Sequence, residues 1–363
     1  MKQPNNILIL AAAGSGKTTY IVKQALSIKN QKILITTYTV QNKKEIEKKF
    51  IEIKGCIPAN IDIQTWFSFI LQHGVKPYKN SLYRGDIEGF YFTNNIPNIG
   101  VKKNDVERYF FTKNHLIYSI RLSEFAFECN NKSKNLVIDR ISKIYNYIFI
   151  DEAQDLAGYD FIFIKELMKE TNMTLVGDLR QRTYKTTNQT KNKDFDIKTY
   201  FEKEYKKINI EINTTILRKN YRSCARICSF SDRIYLDYPK TEPNNLIKDN
   251  HMGVFLIQEE DVEKYLELFK PIQLRWNKRR GTNEKYRTIN FGNSKGLTFD
   301  RVVVYPTEEI VKWLKNNQYD LAKEARAKFY VAVTRARYSV AFVLNNKDIE
   351  SIKNIPIWKK NNE

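Results

Sequence analysis

The sequence predicts an α/β protein of two domains with parallel sheets. Two observations predict it. Short buried apolar runs alternate with helix-periodic segments, and this series is followed by a second one beyond a Lys- and Asn-rich stretch at 185–213. A third observation orients the first domain: its first apolar run feeds directly into a loop of small residues.

Residues 7–10 are too short and too apolar for a surface helix and read as a buried strand. The small-residue loop 11–18 follows, then a helix from 19 to 28, a strand at 32–36 and a charged helix at 41–53. A third strand at 61–64 leads into an aromatic segment at 66–71. The run 147–150 is a continuous apolar strand ending on Asp151. A helix at 161–168 and a strand at 174–176 complete the first series.

In the second series, strands are expected at 254–257 and 301–305, a helix at 322–330 and a closing strand at 339–344. The expected domains are 1–210 and 211–363. Two less periodic stretches, about 75–133 and 238–287, are expected as small insertions. The second of them carries the basic run 275–280.

The net charge of +20, from 61 Lys and Arg against 41 Asp and Glu, creates a positive field that attracts polyanions, nucleic acid first. No uninterrupted apolar stretch reaches the roughly 18 residues of a membrane span. The polar residues 1–6 do not read as a signal peptide. Cys56, Cys129, Cys224 and Cys228 form no CxxC pair and are expected as reduced thiols of a cytoplasmic protein.

Two groups of residues carry chemistry. Ala11-Ala12-Ala13-Gly14-Ser15-Gly16-Lys17-Thr18 lies between a strand and a helix, the context of a phosphate-binding loop. Its backbone amides and the helix N-terminus suit phosphate oxygens. Lys17 reaches the β and γ phosphates, and Thr18 offers a hydroxyl to Mg²⁺. Asp151 and Glu152 end a buried strand. Mg²⁺ takes hard oxygen ligands beside substrate phosphates, so Asp151 is expected to hold the ion with Thr18. Glu152 is expected to activate the attacking water and Gln154 to sense the γ-phosphate.

These two groups, together with six further segments in matching order, resemble the UvrD/Rep family of superfamily 1 DNA helicases. Thr36-Thr37-Tyr38-Thr39 looks like motif Ia and Thr65-Trp66-Phe67-Ser68 like motif Ib. Residues 176–184, Val-Gly-Asp-Leu-Arg-Gln-Arg-Thr-Tyr, resemble motif III, and residues 217–223, Leu-Arg-Lys-Asn-Tyr-Arg-Ser, motif IV. Residues 292–300 look like motif V and residues 329–337 like motif VI.

The resemblance implies two RecA-like P-loop domains with ATP and Mg²⁺ at their interface. Gln181, Arg222 and Arg335 join Lys17, Asp151 and Glu152 in catalysis, the arginines stabilising charge on the transferring phosphoryl group. Ala13, Gly14, Ser15, Gly16, Lys17, Thr18, Thr19, Gln154, Tyr221 and Gly296 are implied to contact the nucleotide, with Tyr221 on the adenine. Tyr38, Thr39, Thr65, Trp66, Phe67, Tyr184 and Lys295 are implied to meet single-stranded DNA or a single-strand/duplex junction.

The sequence departs from the family around the base. The first strand begins too early to leave room for the family's glutamine-bearing segment, with Gln3 too close to the strand to replace it; Thr19 stands where an arginine is usual, and Gly292 and Thr298 replace a His and a Glu of motif V. There is also no room between Arg222 and Gly292 for a full second accessory domain. The resemblance thus implies an ATP-driven 3′-to-5′ translocase or helicase. The alternative is a regulatory subunit beside a nuclease partner, as with small UvrD-like proteins of antiphage systems such as Gabija. No membrane partner is expected.

Overall fold

The structure, a computed structural model, describes residues 5–93, 95–183, 195–204 and 208–359. Its contacts divide the chain into two compact units. One comprises residues 1–10, 17–179 and 184–213, the other residues 11–16, 180–183 and 214–363.

The first unit contains β1 (Asn6–Leu10), β2 (Ile33–Thr37), β3 (Ile61–Thr65), β4 (Gly89–Tyr91), β5 (Leu116–Tyr118), β6 (Tyr147–Ile150), β7 (Asn172–Gly177) and β8 (Ile210–Asn213). Six of them form a sheet in the order β3-β2-β6-β7-β1-β8, with every pairing parallel. Parallel strands covered on both faces need apolar side chains on both, and all five residues of β2 are buried. The register sets Leu10 opposite Gly177, Ile150 opposite Leu175 and Thr37 opposite Thr65. The carboxyl ends of these strands therefore share one edge.

Helices Lys17–Ser27 and Val40–Lys54 follow β1 and β2. Thr39 caps the second by accepting from the Asn42 amide at 3.1 Å. The stretch expected as a small insertion between β3 and β6 holds the parallel pair β4–β5 and helices Val106–Phe110 and Leu122–Lys132. Aromatic contacts build its core. Phe110 and Phe111 pack edge-on against Phe125 at 4.9 and 5.4 Å, and Tyr83 stacks on Phe111 at 4.2 Å. A buried carboxylate needs partners; Glu124 has Lys103 at 2.8 Å and the Tyr109 hydroxyl at 3.2 Å.

The second unit contains β9 (Lys219–Asn220), β10 (Glu242–Pro243), β11 (Gly253–Gln258), β12 (Ile272–Arg275), β13 (Thr288–Asn290), β14 (Phe299–Tyr305), β15 (Ala336–Leu344) and β16 (Ile357–Trp358). Its sheet runs β13-β12-β14-β15-β11-β16, again parallel throughout. Two expectations are corrected. The stretch 238–287 is not an appendage, because besides the expected strand, β11, it supplies β12 and the helix Val262–Phe269 to the fold itself. The strand expected to close the series, β15, is followed by β16; β15 lies between β14 and β11, and β16 takes the edge. Its continuous burial from Ser339 to Leu344 has that central position as its cause.

One histidine is committed to this packing. His251 is sandwiched between the rings of Phe255 and Phe269, at 4.2 and 4.1 Å and nearly parallel to both. Its Nε2 is 2.8 Å from the Tyr265 hydroxyl. Burial pushes its pKa down to about 4; Arg301 adds to the shift, and Asp249 opposes it. The folded value lies below the unfolded value near 6.5, so the unfolded chain binds the extra proton. Stability from this site is complete above pH 6.5 and is lost as pH falls towards 4. We expect wild type to lose roughly 1–2 kcal/mol more than His251→Gln between pH 7.5 and 5, read from denaturant midpoints. Parallel losses in the two proteins would show that His251 is not the titrating group.

Candidate functional site

In the first unit, the shared carboxyl edge brings Lys17, Thr18, Asp151, Glu152 and Gln154 together. Lys17 and Thr18 open the helix after β1, and Asp151 directly follows β6. The Asp151 backbone N–H donates to the Thr36 carbonyl at 2.9 Å, which continues the ladder and fixes the acid's position. Its Oδ2 accepts from the Thr18 hydroxyl at 2.9 Å, and its Oδ1 from the Glu152 N–H at 2.9 Å. Asp151 is only 3% exposed. Burial pushes its pKa up to about 7, the Glu152 charge pushes the same way, and Lys17 and Thr18 push it down.

Glu152 sits in the left-handed region at φ 55°, ψ 40°. That conformation is strained for a residue with a Cβ and concentrates where function requires it. Its carboxylate accepts from the Gln154 amide nitrogen. The Gln154 carbonyl oxygen in turn accepts from the Asp178 N–H at 3.1 Å. Gln154 is thus buried as a strut between the ends of β6 and β7. Gly177 leaves space for it, since a Cβ there would lie 2.5 Å from Gln154 Oε1.

These groups fit a Mg²⁺ ion. Thr18 and Asp151 offer hard oxygens, and a cation would stabilise the carboxylate charge that burial and Glu152 disfavour. No cluster of three or more His, Cys, Asp or Glu that could hold a metal is found among the described residues. Two oxygens suit an ion that takes its remaining ligands from phosphates and water.

The second unit gathers residues 11–16 of the loop and residues 180–183 of motif III with motifs IV to VI. The Ala12 N–H donates to the Leu217 carbonyl at 2.8 Å, and the Tyr221 N–H to the Gly14 carbonyl at 3.0 Å. Asn220 Oδ1 accepts from the Arg222 and Ser223 amides at 2.7 and 2.8 Å. Gly14 has φ 67°, and a Cβ on it would meet Asn220 Oδ1 at 2.7 Å and Arg222 Cβ at 2.8 Å, so this position needs glycine twice over. The Ala13 side chain is in the core. The Ser15 hydroxyl is buried without a hydrogen-bond partner. A buried donor left unsatisfied is costly, and a phosphate oxygen would satisfy it. Gly16 is exposed, and Gly296 follows Lys295 in the left-handed region at φ 84°.

Arg335 is 1% exposed. It donates to Gln181 Oε1 at 3.0 Å and to the carbonyls of Val331 and Leu297 at 3.1 and 3.2 Å. Arg222 donates to the Thr334 carbonyl at 3.0 Å, and its own carbonyl accepts from Asn245 Nδ2 at 2.7 Å. Tyr221 is 57% exposed. Thr19 is half-buried on the first helix.

The expected nucleic-acid residues divide. Tyr38 is half-buried and Thr39 exposed, the latter with its hydroxyl engaged as a helix cap. Thr65 caps the turn after it. Trp66 requires correction: it is a core residue, 1% exposed, whose indole N–H donates to Asp160 at 2.8 Å. Phe67 is also covered, at 8% exposure, by Tyr38, Phe90 and Phe92. Tyr184 lies outside the described residues. Sequence reasoning gave no part to Asn220, which organises two amides of motif IV, or to Phe92, which covers Phe67. Their signals were the Asn in Asn-Tyr-Arg-Ser and the aromatic run Phe90-Tyr91-Phe92.

A phosphate loop, a strand-end acid pair and two parallel α/β sheets define a P-loop nucleotide-binding protein. The family AAA_19, an AAA domain, matches residues 1–187, and the chain belongs to it. The likeness to superfamily 1 helicases extends to named relatives. The chain is 27% identical to Gabija protein GajB of Bacillus cereus over 365 residues, covering 89% of this chain and 69% of that protein. It is 27% identical over 119 residues to the ATP-dependent DNA helicase PcrA of Bacillus subtilis, covering 32% of this chain and 15% of PcrA. It is 28% identical over 130 residues to a probable DNA helicase II homolog of Mycoplasma capricolum, covering 36% of this chain and 17% of that protein.

The Gln154 strut generates a prediction. Gly177→Ala forces a Cβ against Gln154 Oε1 and against its backbone nitrogen at 3.0 Å. We expect a loss of about 1–3 kcal/mol in unfolding free energy, measured by denaturant titration. An unchanged midpoint would show that the strut moves freely.

Proposed function

We propose that the chain couples ATP hydrolysis to movement along single-stranded DNA, as a translocase or helicase of the UvrD/Rep kind with 3′-to-5′ polarity. The observation that carries this reading is the Thr18–Asp151 hydrogen bond of 2.9 Å at the head of the phosphate loop. It joins a hydroxyl and a carboxylate where a Mg²⁺–phosphate pair needs both.

In this reading Lys17 and Ser15 bind phosphate oxygens, and Thr18 and Asp151 hold Mg²⁺. The ion supplies charge neutralisation on the phosphates. Glu152 accepts the proton of the water that attacks the γ-phosphorus, which releases ADP and phosphate. Gln154 holds Glu152 in place. Arg222 stabilises the charge on the departing phosphoryl group, and Tyr221 stacks on the base. Arg335 touches Gln181 and orients its amide. The net charge of +20 favours a polyanionic track.

A second reading is favoured by the similarity to GajB over 89% of this chain. Here the chain is a nucleotide- and DNA-sensing subunit of an antiphage complex that regulates a nuclease and unwinds little by itself.

Steady-state ATP hydrolysis with and without single-stranded DNA tests the first reading. DNA should raise kcat at least tenfold, and Glu152→Gln should lower it by roughly 10²- to 10⁴-fold while ATP still binds. Binding of both ligands without hydrolysis would overturn the motor reading in favour of the second.

A further inference from the structure

Phe67, which motif Ib offers to nucleic acid, is covered, and the rings that cover it come from the stretch between β3 and β6. Phe92 meets it edge-on at 5.6 Å and 85°, and Phe90 lies at 6.3 Å. Phe90 and Phe92 touch at 5.6 Å, and Tyr38 reaches Phe67 from the other side at 5.6 Å. Four rings thus form one cluster at the ends of β2 and β3, on the sheet edge that carries Asp151.

Its outermost member is Phe92, which is 67% exposed. A lone exposed phenylalanine needs no explanation. This one is fixed in place from several sides. The preceding strand pairs Phe90 with Ile117 and Tyr91 with Tyr118, and the following Thr93 N–H donates to Ser119 Oγ at 3.4 Å. Its inner neighbours hold the ring from below. A rigid aromatic face on a strongly basic chain suits a nucleobase, because every base presents a π-face and the phosphates supply the attraction.

We propose that Phe92 stacks on a base of single-stranded nucleic acid and takes over the stacking face that Phe67 has lost to burial. This rests on the reading that a single strand crosses this edge. Phe92 is a binding residue contributed by the reduced insertion rather than by the motifs.

The test is fluorescence anisotropy with labelled dT and rU 20-mers and an abasic deoxyribose-phosphate strand of equal length. Phe92→Ala should weaken binding to the dT and rU strands roughly 5- to 100-fold, the range for one lost stacking base. Phe92→Trp should retain wild-type affinity. Phe92→Leu, which keeps apolar bulk, should weaken binding as the alanine variant does. All variants should bind the abasic strand and ATP like wild type. Unchanged affinity of both Phe92→Ala and Phe92→Leu for the base-bearing strands overturns the proposal alone. An equal loss on the abasic strand also overturns it, since stacking would not be the cause. Failure of wild type to bind any strand overturns the proposal and the reading beneath it together.

Discussion

A carboxylate buried at the end of a strand is the constraint on which the first unit depends. Asp151 is charged only at a cost in that position, and its surroundings divide into groups that raise the cost and groups that lower it. Burial and Glu152 raise it, while Thr18, Lys17 and the Glu152 N–H lower it. The parallel sheet makes the meeting possible, because strands that run one way deliver their loops to one edge. β1 delivers the phosphate loop, β6 the acid pair, and β7, between them, the glycine that accommodates Gln154.

Within the second unit the comparable element is the Arg335 guanidinium. It is buried against the carbonyls of Val331, in the helix that precedes it, and of Leu297, and it holds Gln181. An arginine so fully engaged acts on its neighbours' orientation as much as by direct charge. The same holds for Asn220, whose side chain organises two amides of motif IV and leaves no space for a Cβ on Gly14. In our reading these contacts let the state of the phosphate loop be felt by motif IV.

Sequence legibility followed the physics of each residue. That Gly14, Lys17, Thr18, Asp151 and Glu152 lie just beyond strand ends was legible, because small-residue loops and acids directly after short apolar runs mark those ends. Of the first sheet, β1, β2, β6 and β7 were legible from their short apolar runs, and β3 from Ile61 and Ile63 alternating with polar residues. β12 and β13 were not, since they are short and stand among the polar residues around the basic run 275–280. Trp66 and Phe67 misled because an aromatic residue stacks equally well in a core or on a base. Its partners decide, and those partners are distant in the chain. Trp66 finds Asp160, and Phe67 finds Phe90 and Phe92.

The most direct test of the central claim is calorimetric titration of ATP into wild type and Asp151→Asn, each with and without Mg²⁺. The account predicts that Mg²⁺ tightens ATP binding to wild type and that the variant loses this dependence while still binding the nucleotide through Lys17 and the loop. Equal Mg²⁺ dependence in the two proteins would contradict it, because the buried carboxylate would then not be the group that holds the ion.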